Sequence, residues 1–376
     1  YLGIAALLND GDPGLLATDV GKEWYQAMRA GGKAAWNAAV DITAEFSRGE
    51  PRFRDAEIER SVWHRVIDIA SEYNQPGTFT TFNGYEYSST VNGDNLHRVV
   101  IFRDGPERVK QVVPFGAFDG QDPEGLWDYM AAYEETSGGQ IMAIPHNSNI
   151  SNGAMFSETV NGSAMTRDYA ERRARWEPLM EVTQMKGDSE THPFQSPEDE
   201  FADFETWDVG NVAGTLKEDW MLQHEYARSA LKLGMRLEQE LGANPFKFGM
   251  IGSSDTHTSL STTREENYFG KLPHLEPSAT RAGEVMLRHP KTDATLVSAW
   301  EAGASGLAAV WAQENSREAI FDAMARKEVY ATTGTRISVR VFAGWDFKED
   351  SVERIDFAAH GYLHGVPMGG ELRRAP

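Results

Sequence analysis

Acidic residues and histidines stand at the ends of several short apolar segments, and these residue types hold divalent metal ions. Glu86 follows one such segment, His146 follows a second, and Asp255 and His257 follow a third. In a parallel β/α barrel, functional side chains project from the C-terminal ends of the strands. We therefore expect these four side chains to meet at one rim. Residues two apart in an extended segment point to the same side, so Asp255 and His257 could reach one metal cluster.

Each of these residues also has an ordinary structural interpretation. A lone histidine after a strand is more often a hydrogen-bonded structural residue than a ligand. Glu86 could be an exposed residue at a strand edge, and Asp255 could cap the following helix. The coincidence of all four residues at strand ends is what favours a metal cluster.

Other polar side chains adjoin these candidates. His97 is a further possible ligand, and Arg98 beside it carries a guanidinium suited to an oxyanion. Asn147 lies in a polar loop after His146, and Lys186 follows another apolar segment. We predict that Arg98, Asn147 and Lys186 bind an anionic substrate. The alternatives are turn chemistry for Asn147 and a solvated surface role for Lys186.

The composition narrows the classes of function. With 376 residues the chain can form one large barrel or two ordinary domains. A net charge of −21 argues against nucleic-acid binding, although a metal cluster can still attract a small anion. Because the chain has no cysteine, any metal must be held by His, Asp and Glu, which suits zinc, manganese, iron or magnesium. No apolar run approaches the roughly 20 residues of a membrane helix.

The absence of cysteine is also compatible with a periplasmic or otherwise extracytoplasmic protein, and a cytoplasmic location is the alternative.

The motifs of competing enzyme classes are missing. The chain has no phosphate loop, no dinucleotide-binding glycine fingerprint and no Gly-x-Ser-x-Gly nucleophile elbow.

Helical and strand-like segments alternate along most of the chain, which predicts an α/β fold. The predicted helices cover residues 21–46, 55–73, 224–241 and 315–327, with another between Asp122-Pro123 and Gly138-Gly139. The predicted strands cover residues 78–82, 97–102, 140–144, 180–185, 246–251 and 306–311. We expect residues 1–335 to form the main body and residues 336–376, where the helical pattern is lost, to form a β-rich extension.

Longer motifs surround the candidate residues over nearly the whole chain. They are Asn-Gly-Tyr-Glu-Tyr (83–87), Asn-Leu-His-Arg (95–98), Ile-Pro-His-Asn-Ser-Asn (144–149), Gln-Met-Lys-Gly (184–187), Gly-Ser-Ser-Asp-Thr-His (252–257) and Tyr-Ala-Thr-Thr-Gly (330–334). Together they resemble those of a bacterial family, the domain of unknown function 3604 family. That family is related to the polymerase-and-histidinol-phosphatase (PHP) superfamily of metal-dependent hydrolases.

The resemblance implies a distorted β/α barrel that carries two or three divalent metal ions (zinc, manganese or iron) and hydrolyses phosphoesters. It implies Glu86, His97, His146, Asp255 and His257 as metal ligands, with Glu86 bridging two ions. The superfamily's His-x-His motif is absent from this sequence. The resemblance therefore also implies a barrel that is incomplete at its N-terminal end.

These observations predict a phosphatase or phosphodiesterase in which a metal-bound hydroxide attacks the phosphorus of a small anionic ester. Asp255, His257 and Arg98 are the predicted catalytic residues. Two alternatives stay open. One is a sulfatase, because its tetrahedral anionic substrate requires a similar set of site residues. The other is a metal- or sugar-binding module without turnover.

Overall fold

The computed structural model describes residues 10–48, 51–258, 260–262, 271–272, 278–302 and 306–373. Its α-helices are α1 (Pro13–Leu16), α2 (Asp19–Ala30), α3 (Gly32–Arg48), α4 (Ala56–Tyr73), α5 (Pro106–Val109), α6 (Pro123–Ser137), α7 (Arg167–Trp176), α8 (Asp219–Leu222), α9 (Ala227–Leu241), α10 (Arg317–Ala325) and α11 (Phe357–His364). None of these helices combines the length and the apolar character that crossing a membrane requires.

The strands are short and form several small sheets. They are β1 (Asn83–Tyr87), β2 (Arg98–Phe102), β3 (Ile141–Pro145), β4 (Thr159–Val160), β5 (Ser163–Ala164), β6 (Leu179–Gln184), β7 (Gly187–Asp188), β8 (Gly249–Gly252), β9 (Val285–Arg288), β10 (Thr295–Ser298), β11 (Leu307–Val310), β12 (Val329–Thr332), β13 (Phe342–Ala343) and β14 (Val366–Pro367).

The sheet that carries the first candidate residues is antiparallel, with the order β1-β2-β3. Tyr87 pairs with Arg98, and Arg98 pairs with Pro145. Strands β1 and β3 therefore run in the same direction on either side of β2. As a result, the C-terminal ends of β1 and β3 meet the N-terminal end of β2 at one edge of the sheet.

A second sheet brings two further chain segments to one edge. Strand β6 pairs in parallel with β8 and antiparallel with β7. Because parallel strands end on the same side, the residues after Gln184 and after Gly252 emerge close together. Strand β3 lies beside β6, and β12 lies beside β8. The two edges are therefore neighbours in the fold.

The main core lies between helices α4 and α6 and one face of the first sheet. Trp63 and Trp127 pack there against Tyr87, Val100 and Phe102. Burying a side chain of this kind contributes about 1.5–3 kcal/mol. Helix α6 has Pro123 in its first turn and ends at Gly138 in the left-handed conformation, as the sequence predicted.

The predicted α/β class is confirmed as a mixed α/β fold, but within the described ranges the strands form small separate sheets and no closed barrel. The reason lies in strand direction, which an apolar run does not reveal. A parallel pair needs a crossover of about a dozen residues or more, usually a helix. The segment between β1 and β2 is shorter and holds only a three-residue 3-10 turn at Val91–Gly93, so these strands pair antiparallel.

Most predicted elements lie within a few residues of the observed ones, with two exceptions. The predicted strand at 78–82 is wrong: the strand is β1, and Glu86 therefore lies inside a strand and not after one. The predicted helix at 21–46 is divided into α2 and α3 at Gly31, whose φ of 70° lies in the left-handed region.

The C-terminal segment is mixed and not β-rich in its described part. It contains helix α11 of eight residues, while β13 and β14 have two residues each. The sequence did not predict this helix, because a glycine, Gly361, lies within it. A Cβ at that position would come within 2.4 Å of the Phe342 ring, so glycine permits the helix to pack on β13. The division of the chain at residue 335 stays a prediction.

Candidate metal centre

Three of the predicted ligands converge at the edge of the first sheet. Glu86 lies opposite Val99, and Val99 lies opposite Ile144. Side chains alternate between the faces of a strand, so His97 and His146, each two residues from one of these positions, share the face of Glu86. His97 Nδ1 lies 2.7 Å and His146 Nε2 lies 3.3 Å from Glu86 Oε1. We call Glu86, His97 and His146 the His-Glu cluster.

The ligand atoms of the His-Glu cluster all lie within 4.8 Å of one another. Ligand atoms lie about 2 Å from a bound zinc ion, so small side-chain rotations would bring all three around one ion. Two imidazoles and one carboxylate also match the donor set of catalytic zinc sites that keep a position open. The residues present therefore fit a divalent ion.

Electrostatics keeps the carboxylate of this cluster ionised. The Glu86 side chain is 39% exposed, and partial desolvation of its carboxylate favours the protonated form. Hydrogen bonds from His146 and His97 outweigh this effect and hold the pKa of that carboxyl well below its usual range. Burial lowers the pKa of His97. For His146 burial acts in the same direction, yet the neighbouring Glu86 raises its pKa overall. A metal ion requires a charged carboxylate and neutral imidazoles, so its binding would release any proton that His146 holds.

Thr90 adds a contact that the sequence did not indicate. Its hydroxyl lies 2.8 Å from His97 Nε2, the ring nitrogen that does not face Glu86. Metal-binding histidines commonly fix their second ring nitrogen by such a hydrogen bond. Thr90 thus orients the His97 ring within the His-Glu cluster.

Arg98, which we expected to hold the substrate anion, is not brought to the His-Glu cluster. It pairs with Tyr87 and Pro145, so its side chain lies on the opposite face of the sheet. There its Nε donates to Glu177 Oε1 at 3.0 Å, and the Arg98 side chain is only 1% exposed. Its role is a buried structural ion pair, and we leave it out of the proposed site. The alternation of faces along β2 could have separated Arg98 from His97.

A second group forms around Asp255. Its Oδ2 atom accepts from Gln184 Nε2 at 2.7 Å, from Lys186 Nζ at 2.8 Å and from Lys271 Nζ at 2.6 Å. Burial alone would disfavour its charge, but Lys186 and Lys271 hold the pKa of the Asp255 carboxyl well below its usual range. We call Asp255, Lys186 and Lys271 the Asp-Lys cluster.

His257 lies beside the Asp-Lys cluster, and its side chain is about half exposed, at 47%. Its Nδ1 atom lies 2.9 Å from Lys271 Nζ. Burial and the nearby Lys186 ammonium lower the pKa of Lys271 to about 7. For Lys186 the charge of Asp255 outweighs burial and raises the pKa.

One glutamine connects the two clusters. Gln184 Nε2 donates to Asn147 Oδ1 at 2.7 Å as well as to Asp255, and Asn147 directly follows His146 in the chain. Asn147 and Asp255 both have a φ of 50°. Asn and Asp are the non-glycine residues that adopt this left-handed region most readily. The structure thus brings together all the predicted site residues except Arg98.

Sequence reasoning missed three residues of this region: Thr90, Glu181 and Lys271. Glu181 left a signal, since a carboxylate in the middle of a strand whose other residues are buried is unusual. Its Oε2 accepts from Ser253 Oγ, and burial raises its pKa. Thr90 and Lys271 lie outside any recognisable pattern, and only the tertiary structure places them.

The fold and the site define a mixed α/β protein with two polar clusters side by side, one able to hold a divalent cation. The family model described as "Protein of unknown function (DUF3604)" matches residues 1–376. The chain therefore belongs to the DUF3604 family. Neither a curated protein nor a solved structure matches it.

Proposed function

We propose that this protein is a divalent-metal-dependent hydrolase that cleaves phosphate esters. The observation that carries the proposal is the His-Glu cluster, Glu86 with His97 and His146, next to the buried amino groups of Lys186 and Lys271. A cation site beside fixed positive groups suits a substrate whose negative charge grows during the reaction. The proposal includes the relation to the PHP superfamily that the sequence motifs imply.

The His-Glu cluster would hold the metal ion. When bound there, a divalent cation would act as a Lewis acid and lower the pKa of a water molecule. Glu86 contributes the negative charge that attracts the cation. Thr90 keeps the His97 ring in the orientation that turns Nδ1 toward Glu86.

Asn147 and Lys186 would bind the anionic part of the substrate. The Asn147 Nδ2 atom is buried and has no hydrogen-bond partner within the described part of the chain. A buried donor of this kind costs free energy unless a ligand or water accepts from it. Lys186 supplies a further donor and a positive charge, because Asp255 raises its pKa. His257, half exposed beside the Asp-Lys cluster, would exchange a proton with the leaving group or solvent.

Hydrolysis of chromogenic esters tests this proposal. The purified 376-residue chain would be assayed with a nitrophenyl phosphate monoester, the corresponding diester and a nitrophenyl sulfate, before and after chelation and with manganese or zinc restored. We expect turnover of a phosphate ester that a chelator abolishes and metal restores. Turnover of the sulfate ester alone would favour a sulfatase. Metal binding without turnover of any ester would favour a binding module.

Matched variants tie the activity to the site. Glu86→Gln keeps the shape of the side chain but removes the charge that the cation needs, so activity should be lost. Glu135→Gln changes an exposed glutamate of helix α6 in the same way and should keep full activity. Equal activity of Glu86→Gln and the parent would reject the His-Glu cluster as the catalytic centre.

A further inference from the structure

One oxygen of the Asp255 carboxylate is already occupied by the chain's own hydrogen-bond donors. Its Oδ2 atom accepts from Gln184, Lys186 and Lys271, at distances between 2.6 and 2.8 Å. Both lysine side chains are largely buried, with 17% and 3% exposure. A metal ion on the same oxygen would have to displace these donors or lie against the amino groups of two lysines, of which the Lys186 ammonium repels it by its charge.

One ring nitrogen of the imidazole that could join Asp255 is occupied as well. His257 Nδ1 lies 2.9 Å from Lys271 Nζ and 2.9 Å from the backbone oxygen of Asp255. Among the residues that the structure describes, only the His-Glu cluster brings three His, Asp or Glu ligand atoms together.

We infer that the chain holds one divalent ion, which binds in the His-Glu cluster. Lys186 and Lys271 occupy the place beside Asp255 where a second ion would bind. This inference rests on the proposed function and departs from the two or three ions that the family resemblance implies. The Asp-Lys cluster then meets substrate charge with the Lys186 ammonium and with the Lys271 amino group as a hydrogen-bond donor, in place of a metal. Asp255 is in this arrangement a positioning residue for the two lysines and not a metal ligand.

The number of bound ions tests the inference independently of activity. The 376-residue chain would be saturated with manganese or zinc, freed of excess metal, and examined by native mass spectrometry with elemental analysis. We expect one ion per chain. Two or more ions would overturn the inference and leave the proposed function standing. No ion at all would overturn both.

Two variants test the role assigned to each side of the Asp-Lys cluster. Asp255→Asn should still bind one ion, because Asp255 is not a ligand, and a loss of metal would contradict this. The double variant Lys186→Met/Lys271→Met frees the Asp255 carboxylate and should bind a second ion. Lys232→Met, at an exposed lysine of helix α9, is the control and should keep one.

A double variant that folds, as judged by circular dichroism, and still binds one ion would show that the lysines do not fill a metal position. That result would overturn the second half of the inference. If the double variant does not fold, the ion counts of the parent chain and of Asp255→Asn decide the question.

Discussion

Thr90 offers the most informative single substitution near the His-Glu cluster. Its hydroxyl is 2.8 Å from His97 Nε2 and can act either as donor or as acceptor. Without metal, the His97 tautomer with its proton on Nδ1 donates to Glu86, and Nε2 of that tautomer accepts from Thr90. With metal on Nδ1, the ring proton must lie on Nε2 and be donated to Thr90. Thr90→Val has nearly the same shape but supports neither arrangement.

The size of the effect follows from burial. Thr90 is 8% exposed, and the His97 side chain is 16% exposed, so little space is left for water to replace the hydroxyl. Loss of such a partner typically weakens metal binding by about 10- to 100-fold, which corresponds to about 1.4–2.8 kcal/mol. We expect Thr90→Val to fall in the upper part of this range.

Competition with a chromogenic chelator measures the affinity directly. Thr90→Ser keeps the hydroxyl and should bind metal nearly as tightly as the parent, which makes it the matched control. Thermal unfolding with and without metal gives a second measurement, because metal that binds only the folded state raises its stability. If Thr90→Val and the parent bind metal equally well, Thr90 does not orient a metal ligand.

Three other substitutions give distinct results. Glu86→Gln should lower metal affinity by at least about tenfold in the same chelator competition, and unchanged affinity would contradict its role. Arg98→Met should lower the free energy of unfolding in urea by about 3 kcal/mol, since it leaves the buried Glu177 short of a partner; loss of metal binding with stability retained would instead place Arg98 in the site. Burial raises the pKa of Asp188 to about 7, so the folded state binds this proton more tightly than the unfolded state and stability falls as pH rises through 7. Between pH 5 and pH 8, the free energy of unfolding of the parent should therefore fall by about 2–3 kcal/mol more than that of Asp188→Asn. An identical pH dependence of the two proteins would refute this.

The convergence of Glu86, His97 and His146 could be predicted from the sequence, although for a reason that was only partly correct. We expected the C-terminal ends of parallel strands to bring Glu86 and His146 together, with His97 as a further possible ligand. The observed sheet is antiparallel, yet β1 and β3 run in the same direction on either side of β2. Glu86 and His146 therefore still lie at one edge, and His97 joins them from the start of β2.

The contacts of Asp255 could not be predicted in the same way. The sequence showed a carboxylate and an imidazole two residues apart, which is compatible with metal binding. It did not show that Lys271 would lie 2.6 Å from that carboxylate, because this contact depends on the tertiary path of a segment without a regular pattern. Arg98 illustrates a different limit. Its neighbour His97 enters the site, but alternation along the strand turns Arg98 to the opposite face, where Glu177 lies.

Location of a bound metal ion in a crystal is the most direct test of the central claim, that Glu86, His97 and His146 form a metal site. Crystals of the chain soaked in manganese or zinc would be measured at the absorption edge of the metal. The anomalous difference map should show a peak about 2.0–2.2 Å from the Glu86 carboxylate and from the two imidazoles. The absence of a peak there, or a peak bound by Asp255 and His257 in its place, would contradict this account.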